Sequence, residues 1–264
     1  MLFINDLTGI NAYDFLLQAA SQYHISALLR HIIYKNMSDW NIGPDVAYLH
    51  YTANETIGGV EFQSVPEEVE DLTLVADMSS HILSRPVDVS RFGVIYTGAQ
   101  KNLGPAGITI VIVREDLIGH AHPFTPSILN YKLQADNGSM LNTPPTYNWY
   151  LLGLVLEWIK EQGGISAIEA RNSRKADKLY AAIDASSFYS NPVDPSVRSR
   201  MNVPILLAKT ELEKDFLAQA KWHGLVNLEG HRSVGGLRAS LYNAMTEEGV
   251  DTLVAFMRCE TGVE

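Results

Sequence analysis

Short runs of apolar and β-branched residues alternate along the chain with longer stretches of helical periodicity, the pattern of an open, mainly parallel α/β sheet. Four runs predict strands: Val46 to Thr52, Leu72 to Asp77, Gly93 to Thr97 and Ile108 to Val113. Each is nearly continuous in apolar character, as strands covered on both faces require. Pro144 and Pro145 open a helix over Tyr147 to Glu161, with Trp149, Leu152, Val155, Leu156 and Ile159 as its apolar residues and Gly163-Gly164 closing it. A further helix is predicted from Ala167 to Ala185. Beyond Ser186 the rhythm changes to short strands, Val203 to Leu207 and Gly235 to Ser240, separated by helices over Glu211 to Trp222 and Glu247 to Met257. The change divides the chain into a large α/β domain, residues 37–164, and a smaller C-terminal α+β domain, residues 165–264. Residues 1–36 differ in kind. Tyr13 to Ile33 fits an amphipathic helix through Phe15, Leu16, Ala19, Tyr23, Ile25, Leu28 and Leu29, and no glycine-rich phosphate loop follows a strand there.

Composition narrows the function classes. Of 264 residues 46% are hydrophobic, enough for a sizeable core, and the net charge of −10 argues against nucleic acid or an anionic membrane as partner. No run approaches the ~18 apolar residues of a membrane span. The N-terminus lacks the basic flank, apolar core and small-residue cleavage site of a signal peptide. A single cysteine, Cys259, excludes an internal disulfide framework and a multi-cysteine metal site. The expectation is a soluble, cytoplasmic protein.

The chemistry concentrates at predicted strand ends. Lys101 follows the strand ending near Thr97, in the small-residue turn Gly98-Ala99-Gln100-Lys101-Asn102-Leu103-Gly104. An amine desolvated at the carboxyl edge of a parallel sheet has a lowered pKa and can form a Schiff base; the ordinary alternative is a solvated surface lysine. Asp77 ends the preceding strand, where a carboxylate needs a cation or donors, or simply caps the turn into Met78-Ser79-Ser80. Together Lys101 and Asp77 match the two protein groups pyridoxal phosphate most needs, a Schiff-base lysine and a partner for the pyridinium nitrogen. Thr56, in Asn54-Glu55-Thr56, stands at the same edge as a donor to a cofactor oxygen or as an ordinary turn residue. Asn142 and Thr143 precede the double proline, placed to hold a phosphate or to cap the helix. His231, Arg232 and Arg238 gather cationic groups in an acidic chain, suited to a doubly anionic substrate or to a solvated strand. His120 and His122 lack a further ligand cluster, so no metal site is expected.

These segments, with Ser84-Arg85-Pro86, Leu141-Asn-Thr-Pro-Pro-Thr, Ser199-Arg-Met-Asn-Val and Gly230-His-Arg through Gly-Gly-Leu-Arg-Ala-Ser, resemble phosphoserine aminotransferase in content and order from about Met37 to the end. The resemblance implies the fold of pyridoxal-phosphate-dependent transferases and transfer of an amino group from glutamate to 3-phosphohydroxypyruvate. The related phosphohydroxythreonine step of pyridoxine biosynthesis is implied beside it. By the same resemblance Lys101 holds the cofactor and moves the α-proton, Asp77 pairs with its ring nitrogen, and Thr56 and Gln100 contact it. Asn142 and Thr143 reach the cofactor phosphate of the neighbouring subunit, so the site is shared across a homodimer. His231 and Arg232 meet the substrate phosphate, and Arg238 its α-carboxylate.

The family's chains are longer by about a hundred residues at the N-terminus, beyond ordinary loop variation. That part supplies a His-Arg pair, a glycine-rich phosphate loop and an aromatic that stacks on the cofactor, none of which is found in Met1 to Asn36; Trp40 matches a different family tryptophan. Its absence predicts an uncovered sheet edge or apolar face prone to association. The alternative reading is therefore a truncated, non-catalytic remnant that only dimerises or binds the cofactor weakly. A third is a cysteine desulfurase, which needs a loop cysteine and usually a histidine before the lysine; here Gln100 precedes Lys101 and Cys259 falls in a terminal helix.

Overall fold

A computed structural model describes the backbone of Leu2–Ile4, and residues 42, 46–65, 72–232 and 234–261. The predicted helix from Tyr13 to Ile33 and the tryptophan at 40 lie outside the described residues. Ten strands and five α-helices are described. In chain order they are β1 (Leu2–Ile4), β2 (Leu49–Thr52), β3 (Asn54–Glu55), β4 (Val60–Glu61), β5 (Leu74–Asp77), β6 (Val94–Gly98) and β7 (Thr109–Val113), then α1 (Tyr131–Asp136), α2 (Thr146–Glu161) and α3 (Ile165–Asp184). The remainder are β8 (Tyr189–Ser190), β9 (Asn202–Leu207), α4 (Glu213–Trp222), β10 (Leu237–Ser240) and α5 (Glu247–Thr261).

The four predicted strands of the first half form one sheet with a fifth, β1, in the order β1-β7-β6-β5-β2. β2, β5 and β6 pair in parallel; β7 is reversed, and β1 pairs antiparallel to it. Four of the five strands therefore run in one direction, as a mainly parallel sheet requires. One face carries Leu49, Tyr51, Leu74, Ala76 and Ile95 into a core with Met78 and Phe92. The opposite face carries Val75, Val94, Tyr96, Val111 and Val113, packed with Ile128 and Tyr131. α2 lays Trp149, Leu152 and Leu156 against Ile108 and Ile110, and against Ala99 and Leu103 of the turn after β6. This (i, i+3, i+7) stripe is the apolar face its periodicity predicts.

The second half builds an antiparallel sheet, β10-β9-β8. α3, α4 and α5 cover it through one continuous core that includes Leu179, Ile183, Val203, Ile205, Phe216, Leu253 and Met257. The hairpin β3–β4 reaches this sheet as well as the first, Asn54 bonding both Ser80 and Asn202. Gly59, at φ 73, permits the approach, since a Cβ there would lie 2.7 Å from the Asn202 carbonyl. A buried charge cluster fastens the same junction. Glu61, 1% exposed, meets Arg200 at 2.8 Å, Arg85 at 3.5 Å and His81 at 3.6 Å. Burial opposes the Glu61 carboxylate, but hydrogen bonding and charge from His81 and Arg200 outweigh it and bring its pKa to about 2.

Candidate active site

β5 and β6 end side by side, with Asp77 opposite Tyr96 in the ladder and Thr52 of β2 on its other flank. Strand alternation turns Asp77 away from the Ala76 core and onto the face that carries His50 and Tyr96. Asp77 is 5% exposed. Its Oδ1 accepts from the backbone N–H of Ser79 at 2.8 Å, and among the described residues no donor reaches Oδ2. The Ser79 hydroxyl in turn accepts from the N–H of Gly98 at 3.1 Å, locking the ends of β5 and β6 together.

Lys101 sits in the turn that follows. The carbonyl of Ala99 accepts from the N–H groups of Leu103 at 3.1 Å and Gly104 at 2.8 Å, winding the turn tightly. Gly104, at φ 146, lets it press on α2, where a Cβ would already be 3.4 Å from Leu152 Cα. The half-buried Lys101 Nζ donates to Thr56 Oγ1 at 3.0 Å. Desolvation lowers its pKa, assisted by Arg238 and opposed by Asp77 and Glu55. The three groups thus act on one amine.

The residues Asn54-Glu55-Thr56 divide their roles physically. Buried Asn54 donates from Nδ2 to Ser80 Oγ at 2.7 Å and Asn202 Oδ1 at 3.0 Å, tying the two sheets. The Glu55 carboxylate accepts from the N–H groups of Ile57, at 3.0 Å, and Gly58, closing the hairpin turn. That leaves the Thr56 hydroxyl to face the lysine. Arg238, on β10, donates from Nη1 to the Thr56 carbonyl at 3.2 Å, so the C-terminal sheet delivers a guanidinium to the same turn.

Thr56, Lys101 and Arg238 therefore meet at one turn, and the Asp77 charge acts on the same amine. Gln100 is exposed, its amide folded over Gly98. His231 is half-buried and Arg232 exposed in the loop ahead of β10. Asn142 and Thr143 are exposed ahead of α2, whose N-cap is Pro145 without a side-chain bond, so neither residue caps that helix. His120 and His122 are exposed, and no cluster of three metal-ligating side chains occurs among the described residues. A cavity of about 200 Å³ lined by Tyr51, Phe62, His81 and Arg85 contains none of the candidate cofactor- or substrate-binding residues.

Two site neighbours escaped the sequence reading. His50 stacks on Tyr96 with ring centroids 5.8 Å apart, and its Nε2 lies 2.9 Å from the Tyr96 hydroxyl. Burial lowers its pKa, while the Asp77 charge raises it. Period-two alternation along β2 placed it on the Asp77 face, which was the available signal. Tyr242 accepts from Asn202 Nδ2 at 3.1 Å, and burial raises its pKa. No local pattern marks it, because its partner Asn202 lies on β9, distant in sequence.

The architecture and site define a class. The aminotransferase class-V family matches residues 28–253, and the chain belongs to that family. Within it, the chain is similar to the phosphoserine aminotransferase of Hahella chejuensis, 62% identical over 221 residues, 84% of this chain and 61% of that protein. The Pseudomonas putida phosphoserine aminotransferase is 60% identical over 220 residues, 83% of this chain and 61% of its own. Among solved structures, phosphoserine aminotransferase from Bacillus circulans subsp. alkalophilus superposes with a TM-score of 0.85 at 44% identity, covering 92% of this chain and 65% of that one. A PLP-bound phosphoserine aminotransferase from Trichomonas vaginalis gives 0.79 at 41%, covering 83% and 62%. The chain spans 61% of the length of the curated relatives it matches. Cys259 is exposed on α5 rather than in a loop, which leaves the desulfurase reading without its nucleophile.

Proposed function

We propose that this chain carries the pyridoxal-phosphate-binding machinery of a phosphoserine aminotransferase and transfers an amino group between glutamate and 3-phosphohydroxypyruvate. The observation that carries this reading is a desolvated amine held by one hairpin turn beside a guanidinium: Lys101 and Arg238 both bond Thr56, and the charge of buried Asp77 acts on the Lys101 amine. The residues fit the cofactor. Asp77, with Oδ2 unclaimed by any described donor, suits a protonated ring nitrogen, and Lys101 suits an aldehyde carbon. When bound, pyridoxal phosphate supplies an electron sink for the charge left at the substrate α-carbon.

The chain's own residues do the rest. Lys101, its pKa lowered, takes the α-proton and returns it on the other side of the transfer. Thr56 orients that amine through its hydroxyl, and Gln100 borders the site. Arg238 presents a planar fork to the α-carboxylate, and His231 with Arg232 forms the cationic end for the substrate phosphate. Asn142 and Thr143 serve a neighbouring subunit's phosphate. A homodimer accords with α2, which follows them and exposes Tyr147 at 70%, Tyr150 at 62% and Leu154 at 42% opposite its buried stripe. The division into a large domain over residues 37–164 and a small one over 165–264 accords with the two separate sheets. Net charge −10, and the absence of any described helix long and apolar enough to cross a membrane, accord with work in the cytoplasm.

The test is to incubate the chain with pyridoxal phosphate, reduce with borohydride and map the modified peptide, then assay amino transfer. Modification at Lys101 with turnover on both substrates, and loss of both in Lys101→Ala, is the expected result. Modification without turnover gives the non-catalytic alternative, and modification spread over surface lysines overturns the reading.

A further inference from the structure

Three consecutive carbonyls in the turn after Asp77 each accept a side-chain amide, and each amide comes from a different part of the chain. The Ile82 carbonyl takes Asn102 Nδ2 at 3.1 Å, that of Leu83 takes Asn243 Nδ2 at 2.9 Å, and that of Ser84 takes Asn172 Nδ2 at 3.0 Å. The asparagines are joined to one another as well. Asn102 Oδ1 accepts from the Asn243 N–H at 3.0 Å, and Asn243 Oδ1 accepts from Asn172 Nδ2 at 2.9 Å. All three are at most 4% exposed. Leu83 itself lies at φ 58, a left-handed conformation that a leucine adopts only when its surroundings hold it there.

The ends of this lattice decide its meaning. Asn102 is the neighbour of Lys101, the capped turn begins directly after Asp77, and Asn243 lies just beyond β10, which carries Arg238. Apolar side chains of similar volume would fill such a junction with no loss of stability, whereas directional amides admit one register only. We propose that Asn102, Asn172 and Asn243 are positioning residues that fix the separation of Lys101 from Asp77 and Arg238. The proposal rests on the reading of Lys101 and Arg238 given above.

The test follows Lys101 Nζ in the full chain without cofactor, by pH-dependent acylation with a water-soluble amine reagent and peptide mapping. The groups facing that amine are the Thr56 hydroxyl and the charges of Asp77, Glu55 and Arg238. Asn102→Ala frees the turn without altering any of them. It is expected to move the Lys101 midpoint upward by about one pH unit, toward an ordinary lysine. Ile205→Val, a cavity variant in the C-terminal core, serves as a control for destabilisation alone and leaves the midpoint in place. A lowered melting temperature in Asn102→Ala with an unmoved midpoint overturns the proposal, since the lattice is then only structural. If Asn102→Ala does not fold, Asn243→Ser is read by the same criterion. Borohydride trapping of pyridoxal phosphate on the unaltered chain reports separately: its failure at Lys101 removes the functional reading, while the acylation midpoint still decides the lattice.

Discussion

Among the described residues, burial lowers the pKa of two lysines, Lys101 and Lys175, and they are held in opposite ways. Lys175 of α3 is 0% exposed, yet its Nζ donates to the carbonyls of Leu241 at 2.9 Å, Tyr242 at 2.9 Å and Met245 at 3.0 Å. Every proton of its ammonium is engaged. Lys101 is less deeply buried, and its amine has one hydroxyl acceptor, Thr56. Burial lowers both pKa values, that of Lys175 to about 8. Depth of burial therefore does not mark the chemically available amine; incomplete engagement does. A fully coordinated ammonium is a structural cation, and one with free protons beside a buried carboxylate can exchange partners.

The largest contrast comes from removing each amine. Lys101→Met is expected to abolish covalent capture of pyridoxal phosphate outright and to leave stability unchanged or higher by up to about 1 kcal/mol, since functional amines are seldom optimal for stability. Lys175→Met does the reverse. It leaves three carbonyls without their donor at a cost of about 3 kcal/mol, and Lys101 can still capture cofactor wherever the protein remains folded. Urea unfolding read beside borohydride trapping checks both, and equal loss of stability in the two variants would break the comparison.

Asp77→Asn acts on one lysine only. Its charge raises the Lys101 pKa, so the isosteric amide should move the Lys101 acylation midpoint downward while the melting temperature stays near that of the unaltered chain. Affinity for pyridoxal phosphate should fall about tenfold or more with the loss of a charge-assisted bond to the ring nitrogen. Thr56→Val is the milder version. It removes the single acceptor of the Lys101 ammonium and lowers the same midpoint by under about one unit, with no effect at Lys175. Spectroscopic titration with the cofactor and the acylation assay distinguish the two.

Most of the fold was legible because its periodicity is local. β5, β6 and β7, α2, α3, β9 and β10 fall within a few residues of where the hydrophobic pattern puts them, whereas the two-residue β8 was not foreseen. The direction of β7 was not: an apolar run has the same composition whether its neighbour is parallel or reversed. Lys101 and Asp77 were legible because each closes an apolar run beside small residues, and Arg238 because cations are sparse in an acidic chain. Lys175 was not, as it occupies an ordinary position on an amphipathic helix, and its three acceptors come from a loop that follows β10. Asn172 and Asn243 were hidden for the same reason. A buried polar residue acquires its meaning from partners distant in sequence, and spacing along one chain does not encode them.

The subtlest difference between the two lysines is its imprint on pH stability. For Lys175 the folded value of about 8 lies below the ordinary lysine value of about 10.4 in the unfolded chain. Below about pH 8 both states are protonated and the full desolvation cost is present. Between the two values the folded protein releases a proton that the unfolded chain retains, so stability rises with pH, by about 1 kcal/mol from pH 8 to pH 9. Lys175→Met should flatten that rise, read as the difference between urea midpoints of the two proteins across this window. A slope that survives the substitution would mean that the three carbonyls hold the ammonium at its ordinary pKa, and the cage would then offset its own burial completely.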